Sequence, residues 1–402
     1  MRLSVVIVSY NVRPYLVQCI ESVRCAMEGI DGDIWVVDNA SSDDSVDALR
    51  TLFPDVHLIV NKENVGFSKA NNQAINQSTG DFVLLLNPDT IIGKRSLADA
   101  LALMDREPKA GGVGVKMLNN DGSFARESRR GLPTPATAFY KMMGLCHIFP
   151  KNRRFGKYYM QYLNREEKAK IEVISGAFMM LRRAAIDQVG CLDEDYFMYG
   201  EDIDLSYRLL KGGWDNWYVP TPILHYKGES TKTNSTNYVF NFYNAMLIFF
   251  RKHFIQRYRW MAPFVKLAVL CYGATAMLMK WGRVLLYSMH ACINSISRIV
   301  TNVGVQRERL LFIGSDEAWQ PLHDLCERCN LEAFRCNSID TAVKDARRLN
   351  ALYLTIETDS HSDDYSTALE YLMKANEMQS GLHLGTYSLK HKTLLLPNDC
   401  FC

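Results

Sequence analysis

Short apolar runs and amphipathic stretches alternate through the first ninety residues of the chain. Residues 3–9 form an apolar run, with Ser4 inside it, that closes on a polar turn, the pattern of a strand buried on both faces. The spacing predicts a helix over 14–27, a strand over 34–37 and a second helix from about Asp43, with Ser41 and Ser42 as its caps. A strand over 56–60, a helix through 71–76 and a strand over 82–86 complete the series. This β-α-β-α rhythm predicts an α/β fold, an open and mostly parallel sheet covered by helices. Ligands of such sheets sit beyond the carboxyl ends of the strands. The polar residues that close each strand are therefore the candidates for chemistry.

Beyond residue 110 the pattern is less regular. A strand is predicted over 173–181, a helix over 202–211 stopped by Gly212 and Gly213, and an extended segment with two prolines over 217–224. An apolar helix follows over 238–254. Residues 261–279 then carry one charge, Lys266, and are flanked by Arg257 and Arg259 before and Lys280 and Arg283 after. A spanning helix needs about 20 apolar residues, and a helix lying in the interface or packed internally fits this stretch equally. Membrane association is the expectation it raises. From 308 the strand–helix rhythm resumes, with strands at 310–313, 352–356, 382–384 and 393–396. Gly314-Ser315-Asp316 lacks the three glycines of a dinucleotide site, so this unit is assigned a docking or structural role. The domain limits that follow are 1–235, 236–303 and 304–402.

Composition narrows the partners. Lys+Arg 46 against Asp+Glu 44 leaves a net charge of +2, which supplies no overall field for nucleic acid. Eleven cysteines lie at irregular spacing, and the N-terminus shows no signal-peptide pattern, so free thiols in the cytoplasm are expected. Cys326 and Cys329 have the spacing of half a metal site but no matching second pair, and they read as ordinary thiols on a helix.

Six segments carry candidate chemistry. Tyr10, just past the first strand, can stack on a nucleobase. Asp38 can accept a hydrogen bond from a base N–H or a ribose hydroxyl, whereas Ser41 to Asp43 read as a helix cap. In the stretch 61–72, NKENVGFSKANN, Gly66 after Asn64 suggests backbone close to a ligand, and Asn71 and Asn72 set amides near a helix start, which favours phosphate. Asn87-Pro88-Asp89 is a turn sequence that also places a carboxylate for a hard divalent cation. Glu201 and Asp202 crowd a helix entrance, where acids are favourable against the dipole and where one carboxylate can act as general base. His225 can supply a neutral ring nitrogen to a metal, although a lone loop histidine is more often not a ligand.

Together and in this order these segments resemble the family 2 inverting glycosyltransferases of GT-A fold. The resemblance is carried by VSYN at 8–11, VVDNASSD at 36–43, NVGFSKANN at 64–72, LLLNPDT at 84–90, SGAFMMLRR at 175–183, DEDYFMYGEDIDLSYR at 193–208 and HYKGES at 225–230. It covers about residues 1–255. It implies that Tyr10 and Asp38 hold the nucleoside, with Asn64 and Gly66 lining that pocket. Asp89 would bind the cation, Mg²⁺ or Mn²⁺, and His225 would complete its coordination. Ser175, Gly176 and Ala177 would shape the sugar and acceptor site. Asp202 would be the base and Glu201 its neighbour, orienting either the base or the acceptor.

One position departs from the family pattern. Many members carry two aspartates flanking one residue at the metal site, and here the first is Asn87, so the cation is expected to arrive with the donor. Members written LNPD resemble bacterial rhamnosyltransferases, which implies a dTDP-rhamnose donor. The expected activity is sugar transfer from a nucleoside diphosphate to a glycan or lipid-linked acceptor in surface polysaccharide synthesis, on the inner face of the cell membrane. Two rivals are a catalytically silent nucleotide-sugar-binding or scaffold subunit and a nucleotide-dependent oxidoreductase. The acid and histidine set opposes the first, and the missing glycine fingerprint opposes the second.

Overall fold

The computed structural model describes residues 3–227, 236–256, 307–359, 364–397 and 399–402. The apolar stretch 261–279 lies outside them, as do Gly228, Glu229 and Ser230.

The sheet grows from β1 (Leu3–Ser9), in which every residue is buried. Such a strand needs cover on both faces, and its apolar run provides none of the alternation of a half-exposed strand. β2 (Gly32–Asp38), β3 (His57–Val60) and β4 (Phe82–Leu86) extend it in parallel, joined through α1 (Arg13–Ala26), α2 (Ser45–Leu52) and α3 (Phe67–Gln77). The registers pair Ser9 with Asp38 and Ile7 with Leu86. The ends of three strands, and the loops after them, therefore open on one edge.

The second half of the sheet is mixed. β5 (Thr90–Ile92) leads into α4 (Lys94–Arg106) and β6 (Ala110–Leu118). After α5 (Pro135–Met142) and α6 (Leu145–Ile148) come β7 (Ala169–Ile171), β8 (Phe178–Arg182), α7 (Arg183–Val189), α8 (Glu201–Lys211) and β9 (Asp215–His225). The order is β3-β2-β1-β4-β8-β6-β9-β5, with β7 on β9. β8 runs antiparallel to both β4 and β6, and β5 is antiparallel to β9, pairing Thr90 with His225. The α/β class agrees with expectation, with parallel pairing concentrated in its first four strands.

Two departures have physical causes. β6 was not predicted, because its three glycines lower the strand propensity of the segment. A Cβ on Gly111 would sit 2.6 Å from the Trp214 Cβ, so close packing favours glycine there despite its low strand propensity. The predicted strand 173–181 begins only at Phe178, since the backbone of the preceding residues bonds elsewhere: Val173 N–H donates to the Arg130 carbonyl (2.9 Å) and Ile174 N–H to Ser206 Oγ (3.1 Å). The prolines of β9 are tolerated where its register against β6 jumps between Val219 and Pro222.

Helix α9 (Thr236–His253) lays Ala245, Ile248 and Phe249 against Tyr196. The C-terminal unit comprises β10 (Glu308–Ile313), α10 (Asp316–Arg328), β11 (Leu331–Arg335), α11 (Ile339–Leu349), β12 (Tyr353–Glu357), α12 (Asp364–Glu377), β13 (His383–Ser388), β14 (Thr393–Leu396) and β15 (Asp399–Phe401). Its sheet runs β11-β10-β12-β13-β14-β15, parallel as far as β13. It docks on α1 and on the β5–β9 edge: Val12, Tyr15, Ile91 and Tyr226 share one apolar cluster with Tyr365 and Leu395. Cys326 is buried at the end of α10 with Cys329 beside it, both free thiols.

Candidate active site

Three groups of side chains line the edge where the strands end. The first follows β1 and β2. Tyr10 is 38% exposed. The neighbouring loops are tied together, since Asn11 N–H donates to Ser41 Oγ (3.0 Å) and Ser42 N–H to Asn11 Oδ1 (2.7 Å). Asp38 is 1% exposed; its Oδ2 accepts from Ser41 N–H at 2.9 Å, while its Oδ1 is buried with no hydrogen-bond partner. A buried carboxylate oxygen without a donor is costly, and a ligand N–H or hydroxyl would satisfy it.

Asn64 and Gly66 serve their own loop. Asn64 Oδ1 accepts from Asn39 Nδ2 (2.8 Å) and Gly66 N–H (3.0 Å). Gly66 has φ +88°, and a Cβ there would lie 2.8 Å from the Phe197 carbonyl oxygen, so the close approach it permits is to Phe197. The Phe67 N–H donates to that same carbonyl at 2.7 Å. The reading of Asn71 and Asn72 as phosphate-facing amides is corrected. Asn71 donates to the Phe67 carbonyl of its own helix, and Asn72 to the Leu192 carbonyl and Glu194, so Asn72 braces the loop after α7.

The second group follows β4. Asn87 N–H donates to the Ala177 carbonyl (3.1 Å), and Tyr226 N–H to the Asp89 carbonyl (3.0 Å). The β5–β9 pairing then brings His225 Nε2 to 3.3 Å from Asp89 Oδ1 and 3.3 Å from Asn87 Nδ2. Asp89 is 3% exposed, and both its Oδ1 and His225 Nδ1 are buried without a hydrogen bond. A carboxylate oxygen left unsatisfied beside an imidazole nitrogen fits a divalent cation. Among the described residues no group of three or more His, Cys, Asp or Glu is placed to hold a metal ion.

The third group opens α8. Asp202 Oδ2 is paired with the Arg130 guanidinium and accepts from Gly176 N–H (3.3 Å), while Oδ1 accepts from Ile203 N–H (2.7 Å). Glu201 is 7% exposed, with Oε2 unpartnered. Burial, reinforced by the charge of Asp202, pushes its carboxyl up to about 8. Two adjacent acids thus differ sharply, one ion-paired and one inclined to stay neutral, the pattern that separates acid–base roles. Ser175, Gly176 and Ala177 bridge the groups, touching Asn87 on one side and Asp202 on the other. Arg130 escaped the sequence reading; its only signal was the Arg129-Arg130 pair before Gly131. Arg129 is structural, bonding the carbonyls of Leu163 and Asn164.

Comparison with known proteins finds the following similarities. The family described as Glycosyl transferase family 2 matches residues 4–190. An N-acetylglucosaminyl-diphospho-decaprenol L-rhamnosyltransferase of Mycobacterium tuberculosis (strain ATCC 25618 / H37Rv) is 31% identical over 259 residues, spanning 61% of this chain and 83% of that relative. The low-salt glycan biosynthesis hexosyltransferase Agl10 of Haloferax volcanii is 29% identical over 213 residues, 51% of this chain and 61% of that relative. Among solved structures, the mannosyltransferase PcManGT from Pyrobaculum calidifontis, in complex with GDP-Man and Mn²⁺, aligns with a TM-score of 0.42 at 16% identity, covering 70% of this chain and 79% of that one.

Proposed function

The chain belongs to glycosyl transferase family 2 and is a glycosyltransferase of polysaccharide synthesis, and from that premise we propose that it moves a sugar from a nucleoside diphosphate to an acceptor hydroxyl with inversion. The observation that carries the reading is the buried, unsatisfied Asp89 carboxylate beside His225, on the same sheet edge as the unsatisfied Asp38. In this reading Tyr10 stacks on the base and Asp38 accepts a hydrogen bond from the nucleoside, within the loop that Asn64 and Gly66 shape. Asp89 and His225, with Asn87 beside them, hold a divalent cation, whose chemistry is to neutralise charge on the diphosphate.

The remaining steps belong to the chain's own groups. Ser175, Gly176 and Ala177 wall the space between diphosphate and acids. Asp202 takes the acceptor's hydroxyl proton as the new C–O bond forms at the anomeric carbon. The bond from that carbon to the diphosphate oxygen breaks on the opposite side, and the nucleoside diphosphate leaves with its electron pair. Arg130 fixes the Asp202 carboxylate, and Glu201, in its neutral form, orients the acceptor.

The donor is a nucleoside-diphosphate rhamnose and the acceptor a lipid-linked saccharide, supported by the mycobacterial relative's name and 31% identity. Residues 1–235 carry catalysis, 236–303 associate with the inner face of the membrane, and 304–402 brace the body. No described helix is long and apolar enough to cross a bilayer. The decisive experiment is a panel of nucleotide sugars with Mg²⁺ or Mn²⁺, scored for thermal stabilisation and slow donor hydrolysis. Stabilisation by dTDP-rhamnose with hydrolysis is expected; no stabilisation by any nucleoside diphosphate overturns the reading. Binding without turnover would mark a nucleotide-sugar-binding subunit instead.

A further inference from the structure

Twelve large apolar side chains are at least 36% exposed among the described residues, and five of them lie within eleven residues: Phe139, Met142, Met143, Ile148 and Phe149. Phe139, Met142 and Met143 follow i, i+3, i+4 spacing at the end of α5, so they share one face. Gly144, with φ +71°, turns the chain into α6, which ends in Ile148 and Phe149. Ile148 is 65% exposed, the most of the twelve. Scattered exposed apolar residues are ordinary, but a concentrated patch marks a docking surface.

Charge around the patch has one sign. Between Glu127 and Glu166 the chain carries eight Lys or Arg and no Asp or Glu, although the whole chain is nearly balanced at 46 against 44. Lys151, Arg153 and Arg154 are exposed directly after Phe149. The aromatic residues are linked to them: the Phe155 ring meets Phe149 at 5.7 Å and Tyr140 at 5.1 Å, Arg154 Nε donates to the Tyr140 hydroxyl (2.9 Å), and Lys141 Nζ stands 3.7 Å over the Tyr158 ring. Aromatic rings with one apolar and one polar end, and a cationic rim around exposed Ile, Met and Phe, suit the level of lipid headgroups.

The base of this hairpin is fixed beside the acids. Gly131 N–H donates to the Tyr158 carbonyl (3.0 Å) and Leu132 N–H to Glu172 (2.7 Å), while Arg130, one residue earlier, grips Asp202. We infer that the α5–α6 hairpin, with residues 149–157, is the face on which the enzyme sits on an anionic bilayer, bringing the headgroup plane to the Asp202 side of the site. Its purpose, presenting a membrane-borne acceptor, rests on the lipid-linked reading above.

The test compares the full chain with Met143→Glu/Ile148→Glu and with Lys151→Glu/Arg153→Glu, all exposed positions outside the site. Co-sedimentation is measured with phosphatidylglycerol-containing vesicles and with phosphatidylcholine alone. Binding to the anionic vesicles only, weakened by salt and reduced about tenfold or more in both variants, is expected. Equal binding by the wild-type and the variants overturns the assignment and places the contact elsewhere. A lack of vesicle binding by the wild-type, or a concentration-dependent dimer that Met143→Glu/Ile148→Glu abolishes, also overturns it. Donor hydrolysis in solution, followed in parallel, reports on the transferase reading independently, because neither variant touches that site.

Discussion

Glu201 and Asp202 are adjacent in sequence, yet Arg130 grips one and burial isolates the other. Replacing Asp202 with Asn removes the proton acceptor while keeping its shape. Transfer should fall ~10²–10⁴-fold with donor affinity unchanged, as read by kcat and by nucleotide titration; transfer that survives would remove Asp202 as the base. Glu201→Gln should instead stay within about tenfold of wild-type near pH 7, because the neutral form is the one in use. Wild-type activity should decline as pH rises through about 8, where Glu201 ionises, and the Gln variant should lose that limb. For stability the sign is the same. A carboxyl raised from 4.5 to about 8 stabilises the fold fully below 4.5, and its contribution disappears as pH climbs through about 8. The acids themselves were legible as a pair at a helix entrance. Their division of roles was not, since it depends on Arg130, 72 residues away in sequence.

A third acid on the same helix shows what an element-level contact does. Asp204 is fully buried and accepts from Arg208 Nε (2.7 Å) on its own helix while lying 2.6 Å from His253 Nε2 on α9. Burial opposes its ionisation, but the bonds from His253 and Arg208 win and hold it below the usual carboxylate range. Asp204→Ala leaves Arg208 and His253 without this partner and should cost about 3–5 kcal/mol, seen as a lower midpoint in chemical denaturation. Unchanged stability would mean that α9 is held by its apolar face and by the Lys252 pairs with Asp193 and Asp195. Because the pKa is depressed, this contribution is present above 3.8 and is lost as pH falls through the folded value. Helices and buried strands with clear periodicity were readable in advance. β6 was hidden because glycine's low propensity is overruled by the close approach of Trp214, and the β5–β9 pairing that delivers His225 to Asp89 joins segments that share no local signal.

At the scale of the whole molecule, the C-terminal unit packs behind the proposed metal ligands. Gln18 Nε2 donates to Thr386 Oγ1 at 2.5 Å, and Gln18 Oε1 accepts from the Tyr226 hydroxyl at 3.1 Å. Tyr226 is the residue after His225, so the C-terminal sheet is connected to the candidate cation site through one buried amide. Gln18→Ala should cost about 1–3 kcal/mol by stranding these groups and should weaken Mn²⁺ activation without altering nucleoside affinity. An unaltered Mn²⁺ dependence would confine the brace to stability. The sequence showed a second α/β unit but not where it docks, because α1 buries opposite faces for two different partners and reads as one amphipathic helix.

That docking also imposes a timetable on synthesis. The Tyr15 hydroxyl donates to the Leu396 carbonyl across 381 residues (3.3 Å), so α1 leaves the ribosome roughly 20–80 s before the strand that covers it. Throughout that interval Val12 and Tyr15 lack their covering strand. Nascent chains stalled before residue 380 should therefore be cleaved within α1 by a protease that spares the finished protein. Equal protection of stalled and finished chains would show that α1 is already sheltered by the first sheet.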